Sequence, residues 1–119
     1  MNSIQQTLDS MLTLDGAMCC ALVDSSSGMM LGQAGTGLDL ELAAAGNTEV
    51  VRAKLKTMSS LKLNDRIEDM LITLGRQYHI IRPVVAKPGL FLYVVLDKAR
   101  SNLALARRKA GDVEAELAF

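Results

Sequence analysis

The sequence predicts a three-layer α+β domain with element order α-β-β-α-β-β-β-α, in which helices cover both faces of one five-stranded sheet. Three observations carry this prediction. Two apolar runs of strand length, 17–23 and 90–96, are continuous rather than alternating, the mark of strands covered on both faces. Three further segments carry apolar residues at helical spacing, each behind a capping residue,. Short clusters of Gly, Pro, Asp and Ser separate all of these,.

Ser3-Ile-Gln-Gln6 reads as a capping box opening a short first helix, with Ile4, Leu8, Met11 and Leu12 on one face and Asp15-Gly16 at its end,. The first strand, 17–23, turns through Asp24-Ser25-Ser26-Ser27-Gly28 into a second, 29–34, closed by Gly35-Thr36-Gly37,. Asp39 caps a long middle helix reaching about Leu61,. The third strand is expected over 66–74, charged at its start through Asp65, Arg66, Glu68 and Asp69. Gly75-Arg76 suits a two-residue hairpin turn into a fourth strand, 77–84, whose Pro83 lies near its end,. Lys87-Pro88-Gly89 turns into the fifth strand, the most apolar run of the chain, expected beside the first. Asp97 is expected to cap the last helix, on which Leu103, Ala106, Ala110, Val113 and Leu117 form one stripe.

The middle helix holds more apolar surface than one sheet needs. Leu40, Ala43, Ala44, Val51, Leu55, Met58 and Leu61 make one stripe, and Leu42, Gly46, Val50 and Ala53 widen it past half the circumference. Packing on a single sheet takes a stripe of roughly 100°. The surplus, with its small residues, predicts a second burial surface, most simply another copy of the helix across a two-fold axis. Glu41, Glu49, Arg52, Lys56 and Ser59 line a narrow polar face.

Composition bounds the function. The 119 residues are 50% apolar and 22% charged, as in a globular protein, and a single domain over 1–119 is expected. No apolar run approaches the roughly 18–20 residues of a membrane span, and the first residues lack the basic region of a signal peptide. A cytoplasmic protein without membrane insertion is expected. Formal net charge is zero and only 3% of residues are aromatic, with no Trp, so nucleic-acid binding has no support. The zero hides an asymmetry. Residues 1–50 hold six acids and no base, residues 51–119 hold thirteen bases and seven acids, and the halves carry −6 and +6. The boundary falls inside the middle helix, acidic at Asp39, Glu41 and Glu49 and basic at Arg52, Lys54, Lys56 and Lys62. Two such helices packed antiparallel are charge-complementary.

Catalytic chemistry is not indicated. Gly32, Gly35 and Gly37 lack the Gly-Lys-Ser/Thr of a phosphate loop,. Cys19 and Cys20 lie in an apolar run without a neighbouring cation, as buried small residues do. His79 lies in a strand beside Ile80 and Ile81 and reads as a hydrogen-bonded structural or edge histidine,. One His and two Cys do not make a structural zinc site,. Arg107-Arg108-Lys109 reads as a solvated helix face. An interaction module without catalytic residues, metal or cofactor is expected.

Four segments resemble the Roadblock/dynein light chain family in its bacterial form. They are Gly16 to Asp24 with Ser27-Gly28, Leu40 to Ala45, Asp69 to Arg82, and Leu90 to Asp97 with Asn102 to Ala106. The match is one of pattern and order. It implies a five-stranded antiparallel sheet of order 2-1-5-4-3, of the Roadblock/profilin-like type. It also implies dimers in which middle helices pack together and third strands pair edge to edge, and an association with small Ras-like GTPases as activator or scaffold. The dimer interface would then take Gly46, Val50 and Ala53 from the middle helix and Arg66, Glu68 and Met70 from the third strand. The GTPase would meet Glu49, Arg52 and Lys56. A small-ligand sensor of the profilin/PAS type is the alternative, and it requires a cavity with convergent polar groups.

Overall fold

The structure is a computed structural model that describes residues 3–117 and residue 119. Its elements are α1 (Ile4–Met11), β1 (Ala17–Asp24), β2 (Met29–Gly35), α2 (Leu40–Ser60), β3 (Met70–Thr73), β4 (Gln77–Pro83), β5 (Leu90–Asp97) and α3 (Leu103–Glu116). All strand pairs are antiparallel, in the order β2-β1-β5-β4-β3. The two continuous apolar runs, β1 and β5, lie inside the sheet. Their inner residues, Cys19 to Val23 and Phe91 to Leu96, are buried on both faces.

Alternation along the strands divides the core in two. Cys20, Leu22, Ile80, Leu92, Val94 and Leu96 pack with Leu8 and Met11 of α1 and with Ala106, Ala110, Val113 and Leu117 of α3. Cys19, Ala21, Val23, Ile81, Phe91, Tyr93 and Val95 pack with Leu40, Ala44 and Val51 of α2. One helix therefore covers one face and two helices cover the other. The capping box is formed: Gln6 N–H donates to Ser3 Oγ at 3.1 Å, and Ser3 N–H to Gln6 Oε1 at 2.9 Å. Asp39 accepts from Leu42 N–H at 3.1 Å and caps α2.

Three expectations need correction. The third strand covers Met70–Thr73 and not 66–74, so Arg66 and Glu68 lie before it. Asp69, the residue before it, is held by Arg107 on α3, and the register that pairs Met70 with Ile81 would set Glu68 against Pro83, which has no N–H to donate to a longer strand,. The cap of α3 is Asn102, which accepts from Leu105 N–H at 3.1 Å. Asp97 instead ends β5 and accepts from Ala99 N–H. Leu55 of α2 and Leu61 at its C-cap are exposed, although their spacing put them in the apolar stripe. The Gly75-Arg76 turn has two residues, closed by Leu74 N–H donating to Gln77 O at 2.8 Å. Gly75 is not among the positive-φ glycines, so this turn does not use its conformational freedom.

Gly35 does use such freedom. Its φ is +80°, and a Cβ there would run into the backbone of Met18 and Cys19. The end of β2 thus approaches β1 more closely than any side chain allows.

Candidate interaction surface

The 21 residues of α2 present three faces. The buried line is Leu40, Ala44, Thr48, Val51 and Met58. Thr48 is tolerated there because its hydroxyl donates back to Ala44 O at 2.8 Å,. The polar line is anchored by Arg52. Its Nη2 donates to the Ser26 carbonyl at 2.8 Å, and its Nη1 meets Glu49 Oε1 at 3.3 Å. These contacts tie the polar face to the β1–β2 turn. Lys56 is exposed farther along the same face.

The third face is apolar and open. Leu42 is 70% exposed and Val50 40% exposed; Gly46, midway between them, and Ala53, three residues after Val50, are exposed too. A Cβ added at Gly46 would meet nothing within 4 Å. By helical spacing Leu42, Gly46 and Ala53 lie across the helix from the buried line, and Val50 lies on the flank away from Arg52,.

The sheet beneath that side is only partly covered, because α2 lies chiefly against β1 and β2. Strand register puts Met70 and Ile72 of β3 opposite Ile81 and His79 of β4, on the α2 side of the sheet. Met70, Ile72 and His79 are half-buried. Beside α2 this half-sheet leaves an open ledge with His79 on its floor, and Asn47 of α2 reaches Tyr93, the hydrogen-bond partner of His79. At its outer rim β3 is an edge strand, with Leu71 and Leu74 exposed.

Of the residues singled out from the sequence, Met70 lies on this ledge, while Gly46, Val50 and Ala53 lie on the exposed apolar face of α2. Glu49, Arg52 and Lys56 form a separate polar line. Arg66 and Glu68 lie in the segment leading to β3. Ile72, Tyr93 and Asn47 were not singled out. The signal for Ile72 was its two-residue spacing from Met70.

The floor carries a hydrogen-bond chain. Gln77 Nε2 donates to Met18 Sδ at 3.9 Å, Gln77 Oε1 meets His79 Nε2 at 2.8 Å, and His79 Nδ1 meets the Tyr93 hydroxyl at 2.9 Å. Burial lowers the pKa of His79. Burial raises that of Tyr93, partly offset by Asn47 of α2 beside it. Both histidine nitrogens are thus engaged by neutral groups, neither by a thiol. Cys19 and Cys20 are fully buried, and the Cys20 thiol is pushed up to about 12, mainly by burial. A thiolate is disfavoured there.

An apolar groove of about 320 Å³ lies at the far end of the sheet, lined by Val51, Leu55, Pro83, Val84 and Phe91. Its Ser25 hydroxyl is already spent on Gly89 O at 2.6 Å, and Asp65 and Arg66 are the charged residues of its wall. This groove does not assemble the convergent polar set of a ligand sensor. Among the described residues, no three His, Cys, Asp or Glu side chains cluster as metal ligands, and no helix is long and apolar enough to cross a membrane.

No family model matches the chain, and no curated protein matches it by sequence. Solved structures match it in shape. MglB of Myxococcus xanthus superposes with a TM-score of 0.83 at 18% identity, over 95% of this chain and 89% of that one. A Roadblock domain from Streptomyces avermitilis gives 0.81 at 10% identity, over 96% and 93%. The gliding protein MglB of Thermus thermophilus gives 0.78 at 17%, over 92% and 81%. The fold is the Roadblock fold, as the order of elements and strands implied.

Proposed function

Taking a Roadblock-fold domain as premise, we propose that the chain is a non-enzymatic, homodimeric regulator or scaffold of a small Ras-like GTPase, acting in the cytoplasm. The observation that carries the reading is the open apolar face of α2. A glycine in the middle of a helix costs about 1 kcal/mol relative to alanine. Gly46 has no neighbour in its own chain that requires its smallness. A second α2 packed closely at Gly46, Val50 and Ala53 supplies the reason, and it covers the half-sheet that α2 leaves open. The same two-fold brings the two β3 edges together, with Met70 at the start of each, and satisfies strands that would otherwise remain exposed. The acidic and basic ends of α2 then complement each other across the axis. Arg66 and Glu68, just outside β3, border that seam.

The GTPase assignment follows from the resemblance to the Roadblock family and is supported by the likeness to MglB, one solved form of which is described as having a tetrameric arrangement. Glu49, Arg52 and Lys56 are the partner-facing residues in this reading, because pairing at the apolar face leaves their line free and doubles it. In this reading the chain contributes no catalytic group of its own. Any change in GTP turnover would come through reshaping the GTPase's own site.

The test is direct. The purified protein is expected to sediment as a dimer and to bind a Ras-like GTPase of its own genome, with binding weakened by charge reversal at Arg52 or Lys56. Failure to bind any such GTPase in either nucleotide state would refute the partner. A monomer at micromolar concentration would refute the dimer.

A further inference from the structure

We propose that His79 makes the pairing of two copies pH-dependent: its ring is part of the floor that a second α2 covers, and the pair separates when the ring takes up a proton. The inference rests on the two-fold pairing proposed above.

The hydrogen-bond chain defines the state that fits. Gln77 directs its amide nitrogen at Met18 Sδ, so its Oε1 is the atom facing His79 Nε2. Nε2 therefore carries the hydrogen, and Nδ1 accepts from the Tyr93 hydroxyl. One neutral tautomer satisfies both ring nitrogens and the phenol. Protonation at Nδ1 turns that contact from acceptor to donor. The Tyr93 hydroxyl, on a residue only 1% exposed, must then redirect its own hydrogen, and an unsatisfied buried donor is costly.

The surroundings offer the cation nothing. From β3 the ring faces Ile72 and Met70. From β5 it faces Tyr93 and Val95, with Asp97 farther along the same face, its carboxylate engaged by Ala99 N–H at 3.1 Å. From β1 come Met18 and Cys19, whose thiol is raised by burial and stays neutral. From α2 come Ala43 and Asn47, with Lys54 two turns on, a like charge. A second α2 brings its apolar line, margined by its own Lys54 and by Glu49, which already pairs with Arg52.

In a single chain the half-buried ring retains contact with water and can hold a proton. Under a second α2 it loses that contact, and desolvation disfavours the charged form further. Pairing therefore expels one proton from each chain. Linkage then makes the dissociation constant climb, by up to about two decades per pH unit, as pH falls between the ring's free and paired pKa values.

The experiment is sedimentation of the full chain at constant ionic strength. From about pH 7.5 to about pH 5.5 the dissociation constant is expected to rise at least tenfold. His79→Gln, which keeps a polar side chain but no titration, is expected to pair with a flat profile. Tyr93→Phe removes the hydroxyl donated to Nδ1 and is expected to move the transition to higher pH, which keeps the test alive should the glutamine variant not fold. His79 is the chain's only histidine, so its ring protons give one unambiguous NMR titration, expected at lower pH in concentrated than in dilute samples. A flat wild-type profile, or the same pH dependence in His79→Gln, overturns the role of His79 while leaving the dimer intact. A chain that stays monomeric at about pH 7.5 overturns the pairing itself.

Discussion

Arg107 grips Asp69 with two hydrogen bonds, Nε to Oδ2 at 2.9 Å and Nη2 to Oδ1 at 2.8 Å, so α3 fixes the chain one residue before β3 begins. The guanidinium is half exposed, and pairs of this kind contribute up to about 1 kcal/mol. Arg107→Ala is therefore expected to leave global stability nearly unchanged while freeing the start of β3. Amide exchange at Met70 and Leu71 should quicken well beyond that of β4 and β5. Uniform acceleration across all strands would show that the pair acts on the whole fold instead.

A second cross-layer pair is more deeply set. Glu114 on α3, its side chain 8% exposed, accepts from Arg82 Nε at 3.1 Å and from Val85 N–H at 3.3 Å; Arg82 is 26% exposed. Breaking a buried pair by removing one partner costs about 3–5 kcal/mol. The partial exposure of Arg82 reduces this to about 2–3 kcal/mol for Glu114→Ala. Truncating Arg82 to Met in the same chain should recover much of the loss in urea unfolding. Additive losses would mean that the two groups do not act as a pair.

These two pairs also mark where the sequence stopped being readable. Element order, the caps at Ser3 and Asp39 and the central place of β1 and β5 are written locally, in spacing and in apolar runs. The start of β3 is not, because it depends on Arg107, 38 residues away. Nor is the cap of α3: Asp97 and Asn102 are both good capping types, and the length of β5 decides between them. Glu114 was half legible, since it sits beside Val113 on the apolar stripe of α3 without any sequence sign of its partner. The surplus apolar face of α2 was legible as a helical count. The side toward which it opens was not, because that depends on Arg52 reaching the Ser26 carbonyl. The misassignment of Leu55 and Leu61 has the same origin: periodicity gives an angle around the helix, not where the sheet beneath it ends.

The end of α2 holds a residue in an unfavourable conformation. Lys62 has φ +56°, and Leu63 N–H donates to Met58 O at 3.0 Å behind it, the arrangement that favours glycine at this position. Lys62→Gly is expected to stabilise the chain by about 0.5–1 kcal/mol, since the relief of left-handed backbone exceeds the added freedom of the unfolded chain. A lower urea midpoint would contradict it.

His79 also couples folding to pH within a single chain. Burial lowers its folded-state pKa below the ordinary 6.5, so the unfolded chain binds a proton more readily than the folded one. Stability from the neutral ring is complete above 6.5 and is lost as pH falls from there to the folded pKa, below which both states are protonated and the loss stops. Thermal melts of wild type and His79→Gln should therefore converge as pH is lowered through this window. A gap between them that is constant with pH would remove His79 as the source.

Gly46 separates the needs of one chain from those of two. Within a chain, a methyl group at this position meets open space, and alanine is the better helix former by about 0.8–1.0 kcal/mol. Gly46→Ala should therefore raise the unfolding free energy of the isolated chain. Gly46→Leu should raise it as well, by slightly less, since leucine follows alanine closely in helix propensity. Across a helix pair the order reverses. Added volume at a close approach pushes the axes apart and strips contacts from Val50 and Ala53, so pairing should weaken slightly with Ala and severely with Leu. The two measurements, urea unfolding under monomeric conditions and sedimentation at higher concentration, are expected to move in opposite directions for Gly46→Ala. Were Gly46→Leu to pair as tightly as wild type, this face of α2 would not be the one on which two copies meet.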